Sequence, residues 1–406
     1  MKKTLLILAV VVLALLAWGF VFLSSAGSVN GYRLYGNQHH FVTMQAIWLA
    51  ISIVPFCIAF FLDYHVWQRW PVLTILAYLG VCALLCAVFA FPATKGSHRW
   101  VSLGGSANIQ PGELAKLMAV IATAVFLDRA RWKVELFWKG AVPAAAIFGV
   151  LMGLVVLEPD FGSTMVIAIT GVLLLLIAGV RFVHLGVFGL VGVMAVLPLL
   201  AKNANRMRRL LAWLPESWSD WCVAALHLPA DTAGDEKVKT ALHQMNQALI
   251  AIQNGGLFGV GLNKSLQKEQ YLPEAHTDFI FAIGAEEWGL ALSLLVLALF
   301  VALMVCGVMI AAHAPDPLGR MIAAGMTFIL VFQALFNMYV VAGWAPTKGM
   351  ALPFFSYGGT NLVTALTAVG MLFNVGRKIP LSNPQRRAKM SVAQSTTRKA
   401  RYVSSI

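Results

Sequence analysis

Of the 406 residues, 59% are hydrophobic and only 12% are charged, and the mean hydropathy is +0.78. A soluble domain carries about 25% charged residues, so a water-soluble globule is excluded and a polytopic membrane protein is expected, with the spanning bundle as its core. The net charge of +13 does not point to nucleic acid, because the basic residues lie in loops and in the tail, where Lys and Arg set membrane topology.

The apolar run from Thr4 to Leu23 follows Met1-Lys2-Lys3 and is long enough to span a bilayer. It is longer than a signal-peptide core, and no clean small-residue cleavage site follows at once, so it reads as an uncleaved first helix. Further apolar runs at about 41–62, 71–92, 111–127, 141–157, 163–180, 183–201, 286–312, 321–343 and 360–375 bring the expected number of helices to ten. The fold class expected is therefore all-α, a polytopic membrane bundle. Only Arg181-Phe182 separates the sixth and seventh runs, which leaves one of them open to a tilted or re-entrant path.

Orientation follows from the basic residues. With the N-terminus inside, the inner side holds Lys2, Lys3, Arg69, Arg129, Arg131, Lys133, Lys139, Arg181 and Arg320, and eight more in the tail from Arg377 to Arg401. The short outer loops hold Arg33, Lys95, Arg99 and Lys348, so the count is seventeen against four. Both termini are expected in the cytoplasm. Residues 1–376 form the membrane domain, with a long extracytoplasmic loop at about 202–278, and 377–406 form a basic cytoplasmic tail that reads as disordered. Within the long loop, Arg206–Pro215 reads as a basic amphipathic stretch, and His243 to Ile252 carries helical spacing. The glycine run Gly255–Gly261 follows a helix rather than a strand, so it is not a dinucleotide fingerprint. The five cysteines form no disulfide framework and no metal spacing.

The residues that carry chemistry fall on the outer side. Residues 270–282 place Glu274, His276 and Asp278 ahead of the eighth helix, with Asp278 about two turns before it. A carboxylate at a membrane boundary is a functional site by default. Asp278 is either a helix-capping carboxylate or a general base or metal ligand. Glu113 and Lys116 open the fourth helix, three apart and on one face, with Lys116 roughly 7 Å inside the boundary at helical rise. They neutralise one another, or Lys116 snorkels outward, or the cation holds a phosphate. Arg99-Trp100 reads as an interfacial anchor or as a cation beside a ring that stacks on a sugar. The Gly/Pro-punctuated stretch 347–359, with Lys348 and Ser356, is a packing turn or a re-entrant loop lining a cavity. Gln247, on the helical stretch of the long loop, is a further polar candidate for substrate contact. Together these describe a lipid-accessible site for a phosphorylated amphiphile with a sugar headgroup.

Six segments then carry a resemblance: Arg99-Trp-Val-Ser-Leu-Gly104, Gln110-Pro-Gly-Glu-Leu-Ala-Lys116, Glu158-Pro-Asp-Phe-Gly-Ser163, Gly255–Gly261, Tyr271–Ala282 and Leu352–Gly359. In this order, and over about residues 1–380, they resemble the motifs of the SEDS (shape, elongation, division and sporulation) family. Ser265–Tyr271 and Pro346–Gly349 are more similar to the family's cell-division members than to its elongation members. The departures are Gly112 where the family usually has Ser, Thr360-Asn361 for a Ser pair, and Asn263-Lys264-Ser265 for Gly-Asn-Ser.

The resemblance implies a ten-helix peptidoglycan glycosyltransferase of the bacterial inner membrane, at the division septum. Its implied substrate is lipid II, a disaccharide peptide on undecaprenyl pyrophosphate, polymerised on the outer face. Its implied partners are a class B penicillin-binding transpeptidase of the FtsI type and other division membrane proteins, with no nucleic acid. Asp278 matches the family's essential acid, Trp100 a Trp needed for activity, and Glu113 and Lys116 a charged pair in the same cavity. Arg99, Glu274, His276, Gln247, Lys348 and Ser356 are taken with them as substrate contacts. A divalent cation, Mg or Mn, is the only cofactor expected, at Asp278. The rival readings are a flippase for the lipid-linked precursor, an elongation-type polymerase and a non-catalytic scaffold.

Overall fold

The computed structural model describes residues 1–92, 99–102, 108–130, 134–201, 236–269, 271–345 and 349–380. The expectations for Arg206–Pro215, for Lys348 and for the tail beyond residue 380 lie outside these.

Each of the ten apolar runs is a helix. In chain order the described elements are α1 Lys2–Ala26, α2 Ser28–Tyr35, α3 His40–Phe61, α4 Val66–Arg69, α5 Pro71–Ala87, β1 Val101–Ser102, β2 Asn108–Ile109, α6 Pro111–Arg129, α7 Val142–Leu157, α8 Phe161–Ala178, α9 Phe182–Ala201, α10 Glu236–Gly255, α11 Ile280–His313, α12 Pro317–Val341 and α13 Gly359–Lys378. Eight of the helices are long and apolar enough to cross a membrane. The protein is a multi-pass membrane protein. The sequence pattern did not indicate the two-residue ribbon in which β1 and β2 pair antiparallel, Val101 with Ile109.

The helix that carries the most charged residues is the most enclosed. α6 carries Glu113, Lys116, Asp128 and Arg129, yet it is buried along nearly its whole length, packed among α5, α7, α8 and α12. Charges in a bilayer are tolerated where they face the bundle interior and find partners, so the composition of α6 dictates its central place. α13 is similarly buried and packs closely on α3. Pro111 at the first turn of α6 and Pro317 at that of α12 start those helices where a missing N–H costs nothing.

α11 begins at Ile280, ahead of the expected residue 286, so Asp278 lies two residues before the helix instead of two turns. Phe279 holds the N-cap position and no side chain caps the helix, so Asp278 is not the capping carboxylate. α11 runs for 34 residues but is interrupted at Gly289, whose φ of 72° and ψ of −172° are not helical. Between α8 and α9 the chain turns at Gly179, with φ 91°, and Arg181 meets Glu135 at 3.4 Å.

Candidate active site

α6 and α13 both begin at one end of the bundle, and between them opens a cavity of about 710 Å³. Of the residues singled out from the sequence, Arg99, Trp100, Glu113, Lys116, Glu274, His276 and Asp278 line it. They come from three separate stretches of the chain.

Asp278 sits on the irregular segment 271–279, which is anchored by buried Leu272, Ala275 and Phe279. Because no helix fixes its backbone, the fixing is done by polar contacts. Asn337 Nδ2, on α12, donates to the main-chain oxygens of Asp278 at 2.8 Å and Met350 at 2.6 Å. Tyr357 N donates to His276 O at 3.0 Å, and Ser356 Oγ donates to Thr277 O. The His276 ring lies against Phe41, 4.3 Å between centroids, with Nδ1 3.4 Å from Asn30 Nδ2. Glu274 accepts from Thr277 Oγ1 at 2.9 Å. Gly349 passes directly beside the acid: a Cβ there would stand 2.7 Å from Asp278 Oδ2. Only glycine lets the backbone approach the carboxylate so closely.

Deeper in the cavity, Lys116 Nζ lies 2.7 Å from each carboxylate oxygen of Glu113 and donates to Gln333 Oε1 at 2.6 Å. Gln333 Nε2 donates in turn to Ala351 O at 2.9 Å and Asn361 Oδ1 at 3.2 Å. Lysine has only donors, so it fixes the amide of Gln333, which then fixes that of Asn361. Lys116 therefore has its charge matched within the protein, and the pair gives the cavity a rigid polar floor.

Asp160 forms the third group. It caps α8, accepting from Ser163 N at 3.2 Å and Ser163 Oγ at 2.8 Å, and it also accepts from Gln110 Nε2 at 3.0 Å. Gln110 N donates to Thr360 Oγ1 at 3.1 Å, which ties the ribbon bearing Trp100 to the start of α13. Arg99 donates to the carbonyls of Glu158, at 3.3 Å, and Pro159. The Glu158 side chain beneath it is wholly buried, and neither carboxyl oxygen has a hydrogen-bond partner among the described residues. Burial, and the neighbouring charge of Asp160, push its pKa up to about 8, and the Arg99 guanidinium offsets this only in part.

Two candidates lie elsewhere. Gln247 is on α10 and does not line the cavity. Ser356 is 1% exposed and spends its hydroxyl on Thr277 O and, at 2.7 Å, on Leu352 N, so it braces the loop of Asp278. Asp160, Gln110, Gln333, Asn361 and Gly349 line the cavity but were not singled out as site residues. For Gln333 and Asn361 a signal existed, since an amide inside a largely apolar helix faces the bundle or a cavity. No three His, Cys, Asp or Glu side chains converge as a metal site among the described residues.

The family described as "Cell cycle protein", FTSW/RODA/SPOVE, matches residues 5–379. The chain belongs to the FtsW/RodA/SpoVE family. A probable peptidoglycan glycosyltransferase FtsW from Geobacter sp. (strain M18) is 33% identical over 377 residues, spanning 92% of this chain and 97% of that protein. Among solved structures, the rod shape determining protein RodA of Thermus thermophilus gives a TM-score of 0.63 at 26% identity, covering 92% of this chain and 97% of that one. A chain from a structure described as "Structural coordination of polymerization and crosslinking by a peptidoglycan synthase complex" gives 0.66 at 25% identity, covering 92% and 98%. The motif resemblance is borne out at the level of family and fold.

Proposed function

We propose that this protein is a peptidoglycan glycosyltransferase that polymerises lipid II, with the cavity around Asp278 as its active site on the outer face of the cytoplasmic membrane. The observation that carries the reading is convergence. In a chain of the FtsW/RodA/SpoVE family, one cavity draws together an acid, a cation, an indole and a buried charged pair from distant segments.

The acceptor's sugar hydroxyl is a weak nucleophile near neutral pH and needs a positioned base. Asp278 takes that proton as the oxygen bonds to the donor's anomeric carbon and the bond to polyprenyl pyrophosphate breaks. Arg99 supplies positive charge near the leaving group, and Trp100 offers a face for a sugar ring. Glu113 and Lys116, already paired, hold the floor in one arrangement, so that reorganisation is small when charge moves. A divalent cation fits the donor set, since Mg is commonly held by one or two carboxylates together with substrate phosphates. Asp278 would hold it together with the substrate phosphates, and it would supply charge neutralisation to the pyrophosphate.

The partner we propose is a class B penicillin-binding transpeptidase, and the setting the division septum. The Geobacter relative named FtsW supports the division role, and the synthase complex supports the coupling to crosslinking. Incubating the purified chain with lipid II, with and without the transpeptidase and divalent cations, tests the reading. Glycan strands that lengthen with time support it. Transport of labelled lipid II across proteoliposomes, with no polymer formed, contradicts it and favours the flippase.

A further inference from the structure

The glycine run 255–261 has a structural counterpart in the break of α11. At Gly289 the helix is cut in two, which orphans carbonyls on one side and N–H groups on the other. The run supplies what is missing. Val260 N and Gly261 N donate to Glu286 O and Glu287 O, both at 3.0 Å, while Leu290 N and Ala291 N donate to Gly256 O at 2.9 Å and Leu257 O at 3.2 Å. Such close backbone contact needs Gly259, where a Cβ would stand 2.2 Å from Glu287 O. Broken backbone inside a membrane bundle is tolerated where protein satisfies it, and here the run satisfies two carbonyls before the break and two N–H groups after it.

Around this junction lies a buried ionic cluster that the proposed chemistry does not use. Glu287 Oε1 accepts from Lys268 Nζ at 3.1 Å and from Ser25 Oγ at 2.5 Å. Lys268 Nζ also donates to Ser25 Oγ at 2.9 Å and to Asn263 Oδ1. Lys268 and Glu287 are 3% and 2% exposed. Beside them Glu286 accepts from Ser265 Oγ, from the N–H groups of Leu266 and Gln267, each at 3.3 Å, and from Asn254 Nδ2 at 3.3 Å. Lys268 precedes Asp278 and Glu287 follows it, so the pair joins the two flanks of the segment 271–279 that carries the acid. Ser25 is at the end of α1, and α2, just beyond it, supplies Asn30 and Arg33 to the cavity lining, with Asn30 beside His276.

We infer that Lys268, Glu287 and Ser25 are positioning residues for glycosyl transfer: a buried charge clamp that fixes the Asp278 loop against the cavity wall formed by α2. This rests on the reading of Asp278 as the catalytic base. A base displaced by about 1 Å from its productive position costs about 100-fold in rate, whereas substrate binding, spread over the rest of the cavity, is little affected.

The test measures kcat and KM for lipid II, and thermal unfolding, in the purified full chain. Lys268→Met combined with Glu287→Gln removes both charges at similar volume. The clamp predicts kcat lowered at least about tenfold, KM within about twofold of wild type, and the unfolding temperature retained. Ser25→Ala should lower kcat less, and Ser25→Thr should restore it. Wild-type kcat in the folded double variant overturns the inference, as does loss of kcat only in proportion to loss of stability. Should the double variant fail to fold, the serine variants decide, and equal kcat for Ala, Thr and wild type overturns the clamp. Asp278→Asn is assayed alongside. Wild-type turnover there removes the reading of the site itself, while an inactive Asp278→Asn beside a fully active double variant removes the clamp alone.

Discussion

At one end of the bundle, Asp63, His65, Asp316 and Lys378 face one another at the helix ends; at the other, Asp278, Asp160, Glu113 and Lys116 face a cavity. The first group is closed. His65 lies between Asp63, at 2.8 Å, and Asp316, at 3.3 Å, Lys378 pairs with Asp63, and Tyr64 donates to Asp316. These side chains are a quarter to a third exposed, and their contacts join the end of α3 to α12 and α13. In the second group Glu113, Lys116 and Asp160 are buried and Asp278 is half-buried, and together they border empty volume instead of filling it. At the first end the charges meet across helix ends near solvent; at the second, the Glu113–Lys116 pair and Asp160 are each fixed by protein partners and border an open cavity.

Substitutions at the two ends should therefore differ in kind. The largest effect is expected for Lys116→Met, which leaves Glu113 buried without its partner. Breaking such a pair costs about 3–5 kcal/mol. Denaturant unfolding in detergent should show this loss, and lipid II polymerisation should cease. Gly349→Ala comes next, because its Cβ would stand 2.7 Å from Asp278 Oδ2 and must move the carboxylate. Polymerisation should fall roughly 100-fold with little change in unfolding temperature.

Glu158→Gln sharpens the contrast through pH. The folded-state pKa of Glu158 is raised from the ordinary 4.5 to about 8. Its contribution to stability is full below the ordinary value and is lost as pH rises through about 8. Between pH 5 and 8 the wild-type unfolding temperature should therefore decline more than that of Glu158→Gln, and the variant should be the more stable at the upper end. An identical decline in both would place the ionisation elsewhere. The smallest effect belongs to the other end, where Asp63→Asn should cost about 1 kcal/mol or less and leave polymerisation unchanged. A large loss of turnover there would erase the distinction between the ends.

The sequence made the helices legible because the bilayer demands long apolar runs, and each of the ten runs is a helix. The start of α11 was misjudged. Glu286 and Glu287 look like a boundary in a hydropathy profile, but their partners Ser265 and Lys268 let them sit inside. The short ribbon beside Trp100 left no periodic signal at two residues per strand. In the cavity, ionisable residues at helix starts were readable from position alone. Whether a polar side chain faces the cavity or a neighbouring loop was not, and Ser356 and Gln247 illustrate it: tertiary packing turns the first onto Thr277 and leaves the second on α10. Gln333 and Asn337 give little signal, because two amides in a long apolar helix barely alter its mean hydropathy, yet both brace the site.

In the proposed mechanism Asp278 performs the proton transfer of glycan polymerisation. The most direct measurement is strand synthesis from lipid II by purified Asp278→Asn, a substitution that keeps the size of the side chain and removes its basicity. The variant is expected to fold, to bind lipid II and to make no polymer. Glycan synthesis at the wild-type rate would contradict that mechanism.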